Sequence, residues 1–438
     1  MQQTLLFIPH EWFAGRLLLV WLVLSAILLI WLLWRHGWST ETWSFLPVLS
    51  IGALVIWFVL PHLEIDGVNP ADPLGPLIKV GLAIRGYGIF LLLAIVSGVG
   101  ITLWRSRAVG IDQDRILSLA FWMTFSGMVG ARLLYIVQKS DEFLRIDATW
   151  GEKLVGMLDM TKGGLVVYGS LIGGVLAALI FFRVTKLPVL RTADLLAPGM
   201  VLGLAIGRIG CLMNGCCYGG VCESDRLPAL QFPAGSPPYM QQMSYGELLG
   251  LTSSANEDPN SPDYVRIVTD VAVDSLAAGL GIVVGDRLTI YAPDSMRIHF
   301  FQSAADQSDL VRRVMVEVDS QRQGSLRVPL SELPTRSLRV HPTQVYSSID
   351  GFLLCLLLSF YWTVRKYDGE VFALMLILHS IARYLLEIIR RDESGLFGTE
   401  LTISQWMSVV VLIVGVVLFG FVRITKPVAD SRGPVLPT

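Results

Sequence analysis

The chain has 438 residues, of which 53% are hydrophobic and only 16% charged, against about 25% charged in a soluble protein. The apolar residues collect in runs near 20 residues, the length that crosses about 30 Å of hydrocarbon, so the composition excludes an ordinary water-soluble enzyme. A net charge of -2 argues against nucleic acid as the main partner, and five cysteines are too few for a disulfide scaffold.

In chain order, apolar periodicity and length predict nine helices, over 16–35, 44–61, 81–104, 116–138, 164–183, 194–212, 344–363, 370–389 and 404–423. The first run, 17–34, is broken only by Ser25. A signal peptide has a shorter apolar core and a small-residue cleavage site, so this run is read as an uncleaved span. The second helix is short and contains Pro47. The sixth is rich in glycine and holds Arg208, and is expected to be broken or partly re-entrant, which lipid tolerates only where protein or a cavity shields the backbone.

Arg35-His36, Arg105-Ser106-Arg107, the 183–191 connection, Arg365-Lys366 and the 423–426 segment fall at every second crossing. The positive-inside rule makes those connections cytoplasmic. The N-terminus, the long segment 213–343 and the 390–403 turn then lie outside. Arg390-Arg391 departs from the rule, either as a solvated pair with Asp392 and Glu393 or as an outward-facing anion site.

Residues 221–340 are polar and hold loop-like stretches such as 256–262. Alternation at 264–268, 312–318 and 325–330 predicts strands of a small α+β outer domain. The run Asp274-Ser275-Leu276-Ala277-Ala278-Gly279-Leu280, followed by Gly285-Asp286-Arg287-Leu288, looks like the helix and strand of a PDZ-type domain. The domain organisation expected is 1–78 (two extra helices), 79–220 and 341–426 (two parts of a membrane core), 221–340 (the outer insertion) and 427–438 (a cytoplasmic tail).

Arginines carry the chemical signal. Arg132, Arg208, Arg383 and Arg390 sit inside or at the lip of apolar runs, a costly position unless they are paired or line a wet cavity. They point to a cationic site for an anionic group such as a lipid phosphate. The densest stretch runs from Gly207-Arg208 through Asn214-Gly215 to Gly220, with five glycines in fourteen residues. Glycine lets backbone approach a ligand closely, and a guanidinium fork suits two phosphate oxygens. The competing reading is tight helix packing with an arginine paired to a carboxylate. Arg383, Glu387 and Arg390, at i, i+4 and i+7, share a helix face and can pair along it; His379 extends that face. A structural ion ladder would look the same. Tyr87 in Arg85-Gly86-Tyr87-Gly88, Tyr168 in Tyr168-Gly169-Ser170, and His341-Pro342-Thr343-Gln344-Val345-Tyr346 mark the outer ends of other spans. Cys211, Cys216, Cys217 and Cys222 admit three readings: metal ligands, although the paired C-x-x-C of zinc sites is missing; a disulfide; or small buried apolar residues.

Taken in this order, the motifs resemble the bacterial phosphatidylglycerol-prolipoprotein diacylglyceryl transferase family, over 79–220 and 341–426. The matching stretches are Gly207 to Gly219, His341 to Tyr346, the Arg383, Glu387 and Arg390 helix, Gly130-Ala131-Arg132-Leu133, and Tyr87-Gly88. The resemblance implies an all-α polytopic membrane protein with a seven-helix core, here preceded by two helices and carrying the extracytoplasmic insertion. It implies an enzyme of the bacterial inner membrane, its site facing the outer leaflet. Such an enzyme moves a diacylglyceryl group from phosphatidylglycerol to the lipobox cysteine of a prolipoprotein, forming a thioether and releasing glycerol phosphate. No cofactor or metal is implied.

By the same resemblance Arg208 and Arg383 hold the phosphate and Glu387 orients Arg383. Tyr87, Arg132, Gly207, Asn214, His341, Gln344, Tyr346, His379 and Arg390 contact substrate. The chain departs from the family pattern at Tyr168, where a histidine is usual. It departs also at His379 for tyrosine, Cys211 for asparagine, Cys216 for glutamate and Ser347 for glutamate. A base shifted from Tyr168 to His379 is one consequence. A reading from another class is a non-catalytic lipid-binding or transport protein using the same arginines. A thiol oxidoreductase built on Cys216-Cys217 is disfavoured, because adjacent cysteines form strained disulfides.

Overall fold

The computed structural model describes residues 4–9, 12, 15–37, 40–60, 65–67, 78–143, 150–158, 164–255, 265–291, 315–320, 324–329, 332–390, 399 and 401–425. The stretch 256–262, the Asp392-Glu393 pair and the tail 427–438 lie outside them.

The elements are β1 (Thr4–Pro9), α1 (Arg16–His36), α2 (Thr40–Leu54), β2 (Ile65–Gly67), β3 (Ile78–Arg85), α3 (Gly86–Val109), α4 (Gln113–Gln138), α5 (Ser140–Phe143), α6 (Trp150–Leu158), α7 (Val167–Thr185) and α8 (Val189–Asn214). There follow α9 (Pro237–Ser244), β4 (Leu251–Ala255), β5 (Arg266–Val271), α10 (Leu276–Gly279), β6 (Arg287–Tyr291), β7 (Met315–Ser320), β8 (Gly324–Pro329), α11 (Thr343–Val364), α12 (Glu370–Ile389) and α13 (Ile403–Thr425).

Among the described residues eight helices are long and apolar enough to cross a membrane: α1, α3, α4, α7, α8, α11, α12 and α13. The chain is a multi-pass helical membrane protein with a small α+β insertion. The second N-terminal helix, α2, continues through a π turn at Val55–Val59, and its apolar part, Phe45–Trp57, is shorter than these spans.

Two expectations need correction. The sixth helix is not broken: α8 runs without interruption although Pro198 lies inside it. A proline there removes one backbone donor, and neighbouring helices shield what it frees. The glycines of α8 serve close packing instead. A Cβ on Gly98 of α3 would lie 2.7 Å from the carbonyl oxygen of Gly199. Second, residues 81–85 are strand, not helix, because β3 pairs with both β1 and β2.

Two compact units emerge from the chain, Met1–Ile89 with Gly210–Gln344, and Phe90–Ile209 with Val345–Thr438. The first unit holds the antiparallel sheet β1-β3-β2 and a five-stranded antiparallel meander, β4-β5-β6-β7-β8. In the meander Ser253 pairs with Val268 and Ile290 with Val318. Side chains alternate across a strand, which puts Val268, Leu288, Val318 and Val328 into one core with Tyr239 and Met243 of α9. The helix and strand read at 274–288 are α10, capped by Ser275 Oγ on the Ala278 amide at 3.2 Å, and β6.

The second unit is helical. Its tightest seam joins α4 to α7. A Cβ on Gly127 would lie 3.2 Å from the Ser170 carbonyl oxygen, and one on Gly169 would strike the Gly130 carbonyl. Small residues let membrane helices reach backbone contact, where dispersion and polar contacts replace the hydrophobic drive. A second feature fixes α12. Asp194 of α8, fully buried, accepts hydrogen bonds from the Gly369 and Phe372 amides, both at 2.8 Å, and lies 3.6 Å from Arg365. It supplies from another helix the cap that Gly369 cannot. Removing it strands two donors and a guanidinium. Asp194→Ala is therefore expected to cost about 3 kcal/mol and to lower the thermal midpoint in detergent by several degrees; an unchanged midpoint would refute this role.

Candidate functional site

The helical unit gathers a cationic cluster on α8 and α12. On α12, Arg383 forms an ion pair with Glu387 at 2.6 Å, and Arg390, just past the helix end, lies 3.5 Å from the same carboxylate oxygen. This is the i, i+4 and i+3 geometry that the sequence spacing predicts. A hydrogen bond from Arg383 to Ser404 Oγ, 2.9 Å, ties the cluster to α13. The first turn of α13 is itself held by reciprocal caps, Thr402 N to Gln405 Oε1 at 3.0 Å and Gln405 N to Thr402 Oγ1 at 3.2 Å, a capping box that fixes where Ser404 stands.

His379, one turn before Arg383, lies within electrostatic reach of both Arg208 and Arg383. Its Nδ1 is buried and makes no hydrogen bond. Arg208, half-buried near the end of α8, has no carboxylate partner among the described residues. Among the described residues Glu387 is the carboxylate that Arg383 and Arg390 share, and Arg208 has none beside it. An excess of positive charge in low dielectric is stabilised only by an anion or by water. Gly207 precedes Arg208, and a Cβ there would meet nothing within 4 Å, so packing does not require its glycine.

Arg132 of α4 is 6% exposed and spends its donors on carbonyls: Nε on Met157 at 2.8 Å, NH2 on Gly156 at 2.8 Å and NH1 on Gly164 at 3.1 Å. It lies over the Tyr135 ring at 5.2 Å. The segment it grips leads into α7, where Tyr168 is the second residue and is half-buried. Tyr346 stands in the first turns of α11, a helix anchored to α8 by Ser348 Oγ on the Ala205 carbonyl, 2.9 Å. An apolar recess of about 300 Å³ opens between α3, α4 and α8, lined among others by Ala94, Gly98, Ala120, Thr124, Gly199 and Gly203.

The other unit gathers the remaining motifs. Gln344 Nε2 donates to the Cys216 carbonyl at 2.7 Å and Thr343 Oγ1 to the Cys217 carbonyl at 2.6 Å. The Gly219 amide donates to the His341 carbonyl at 2.9 Å, and a Cβ on Gly219 would lie 2.7 Å from His341 Cβ. The loop after α8 and the His-Pro entry of α11 are therefore stitched together. Asn214 is the last residue of α8, two positions before Cys216. Tyr87 is 40% exposed and follows Gly86, which packs against Met213 near the end of α8, 3.3 Å from a Cβ position to Met213 Cβ. Sequence reasoning missed Ser404 and Asp194, each a single polar residue without a local partner to announce it.

Comparison with known proteins bears on this arrangement. A phosphatidylglycerol-prolipoprotein diacylglyceryl transferase of Rhodopirellula baltica is 36% identical over 457 aligned residues, covering 97% of this chain and 89% of the relative. One from Clostridium tetani is 25% identical over 346 residues, covering 79% and 96%. A second such enzyme of Clostridium perfringens is 26% identical over 340 residues, covering 77% and 91%. The sequence model described as prolipoprotein diacylglyceryl transferase matches residues 76–421, a range that includes every motif of both clusters, and the chain belongs to that family.

Proposed function

We propose that the guanidinium cluster of α8 and α12 is where this transferase, which moves a diacylglyceryl group from phosphatidylglycerol to prolipoprotein, holds the lipid phosphate. The observation that carries the reading is Arg208: a charge on a membrane span, with no acid beside it among the described residues, sharing a histidine neighbour with Arg383. Arg208 and Arg383 bind the phosphate oxygens. Glu387 and Ser404 fix the fork of Arg383, and Arg390 completes the positive wall.

The acceptor is the lipobox cysteine of the prolipoprotein signal peptide. Its sulfur attacks the glycerol carbon that bears the phosphate ester. A carbon–sulfur bond forms, the carbon–oxygen bond breaks, and glycerol phosphate leaves with the electron pair. Charge grows on the departing phosphate, where fixed donors stabilise the transition state more than the ground state. The thiol proton needs an acceptor. His379, with a buried Nδ1 that makes no hydrogen bond, fits that part better than a phenol, whose ordinary pKa is about 10. Tyr168 lines the thiol side and orients it.

Arg132 acts at one remove, holding the segment that carries Tyr168. Gly207 leaves room for the head group and Tyr346 belongs to the same unit; Tyr87, Asn214, His341 and Gln344 are substrate contacts on the other unit. The apolar recess seats an acyl chain. Arginine-rich connections at every second crossing orient the site toward the outer leaflet of the bacterial inner membrane.

His379→Gln is expected to lower turnover about 100-fold, and Tyr168→Phe by a smaller factor with the pH profile kept. Initial rates across pH decide between them, and a Tyr168→Phe defect larger than that of His379→Gln would exchange the two roles. The reading as a whole is tested with purified protein, phosphatidylglycerol and a lipobox peptide. Mass spectrometry should show a diacylglyceryl adduct on the cysteine, and no adduct with properly inserted protein would overturn the reaction.

A further inference from the structure

The cysteines following Arg208 remain outside the chemistry above, since the attacking thiol belongs to the substrate. Their arrangement is specific. The sulfur atoms of Cys211, Cys216 and Cys217 lie within 4.8 Å of one another, all three residues are half-buried, and all five cysteines of the chain are thiols. The spacing, i, i+5 and i+6, lacks the paired C-x-x-C of common zinc sites, and the fold shows why it still converges. Helix α8 ends at Asn214. Gly215 turns the chain at φ +74 and Cys217 at φ +60, while the Gly215 amide reaches back to the Leu212 carbonyl and the Cys216 amide to the Cys211 carbonyl, both at 3.2 Å. The reversal lays Cys216 and Cys217 over Cys211.

Two features mark the loop as set in place. A left-handed conformation at a non-glycine residue costs about 1–2 kcal/mol and persists only where surroundings over-determine it. Here the carbonyls of Cys216 and Cys217 are pinned by Gln344 and Thr343 at 2.7 and 2.6 Å. Cys216 Sγ lies 3.7 Å from the Cys211 carbonyl, within the trio, whereas Cys222 turns its thiol away to the Ser224 carbonyl at 3.5 Å and stands outside it.

We infer that Cys211, Cys216 and Cys217 form a three-thiolate site for one thiophilic d10 cation, zinc(II) or copper(I). Soft thiolates select such ions. Zinc–sulfur bonds of about 2.3 Å at tetrahedral angles require sulfurs about 3.8 Å apart, so closure asks for movements of about 1 Å or less. Zinc takes a fourth ligand from solvent; copper(I) is satisfied by three. Binding releases the thiol protons and involves no redox step. The ion cross-links the last turn of α8 to the loop that Thr343 and Gln344 hold, so its effect is on the stability of that junction.

The test uses the full chain in detergent, reduced and freed of metal. Zinc(II) is titrated against a chromophoric chelator, and copper(I) separately against a copper(I)-specific one. Cobalt(II) serves as a spectroscopic stand-in for zinc and should give a sulfur-to-metal charge-transfer band. The expected result is one ion per chain, bound at least about 100-fold more weakly by Cys216→Ser and by Cys217→Ser, and equally well by Cys222→Ser. Alkylation should find three thiols protected when the ion is present, a readout that does not depend on activity. The arm that binds tighter names the ion. Reduced protein binding neither ion more tightly than the Cys211→Ser, Cys216→Ser, Cys217→Ser triple variant would overturn the proposal. So would a disulfide within the trio in protein purified without reductant.

Discussion

Arg208→Ala is expected to reduce diacylglyceryl transfer by at least about 10³-fold while leaving the protein folded. One fixed donor aimed at developing charge is worth about 10² to 10³ in rate, and a bidentate, charge-assisted pair in a water-poor site exceeds a single neutral donor. Folding should survive, because Arg208 has no carboxylate partner among the described residues to strand. Arg208→Lys keeps the charge but loses the fork, so an intermediate loss is expected.

Arg383→Ala should cost as much activity and carry a structural signature that Arg208→Ala lacks. It leaves Glu387, whose side chain is 1% exposed, beside Arg390 at the longer distance of 3.5 Å. Adding Glu387→Gln should restore thermal stability without restoring rate. Adduct formation by mass spectrometry and thermal midpoints measure the two effects separately. Full activity in either arginine variant would remove the phosphate clamp.

The largest structural effect is expected at Gly169. Its Cβ position is already occupied by the Gly130 carbonyl, with Leu134 Cβ at 2.8 Å and Ala131 Cα at 2.9 Å. No flexible side-chain end can swing away, because two of these atoms are backbone. Gly169→Leu must force α4 and α7 apart along their whole seam, a loss above about 4 kcal/mol. The variant should yield no monodisperse protein after extraction. Gly100→Ala in α3 is the control, since a Cβ there meets nothing within 4 Å; it should behave as wild type. Recovery of Gly169→Leu with an unchanged midpoint would mean that the seam is looser than described.

The spans were legible because length and hydropathy report the solvent directly. Eight helices lie where the apolar runs predict them, with ends shifted by a few residues. The Arg383, Glu387 and Arg390 face was legible for a similar reason: a helix repeats every 3.6 residues, so spacing alone sets who meets whom. The strands β1 and β2 were not legible. They have six and three residues; β1 meets β3 only far along the chain, and β2 is too short for its alternation to stand out. The continuity of α8 was hidden by Pro198 and its glycines, which signal breaks in water and close packing in lipid.

Within the site, the charges were readable and their surroundings were not. Nothing in the sequence pairs Asp194 with the amides of Gly369 and Phe372, or Ser404 with Arg383, since each partner comes from another helix. Arg132 illustrates the opposite error of emphasis. A buried arginine suggests an anion site, yet three backbone carbonyls absorb its donors. The thiol trio was obscured by its unpaired spacing; only the turn at Gly215 and Cys217 brings the sulfurs together.

The most direct measurement is lipid binding to purified protein in a neutral detergent. Native mass spectrometry would compare bound phosphatidylglycerol with bound phosphatidylcholine in wild type and in Arg208→Ala. A preference for phosphatidylglycerol that falls about tenfold or more in the variant, with the thermal midpoint unchanged, is the predicted result. Equal retention of phosphatidylglycerol by a folded Arg208→Ala protein would contradict the placement of the phosphate at this cluster.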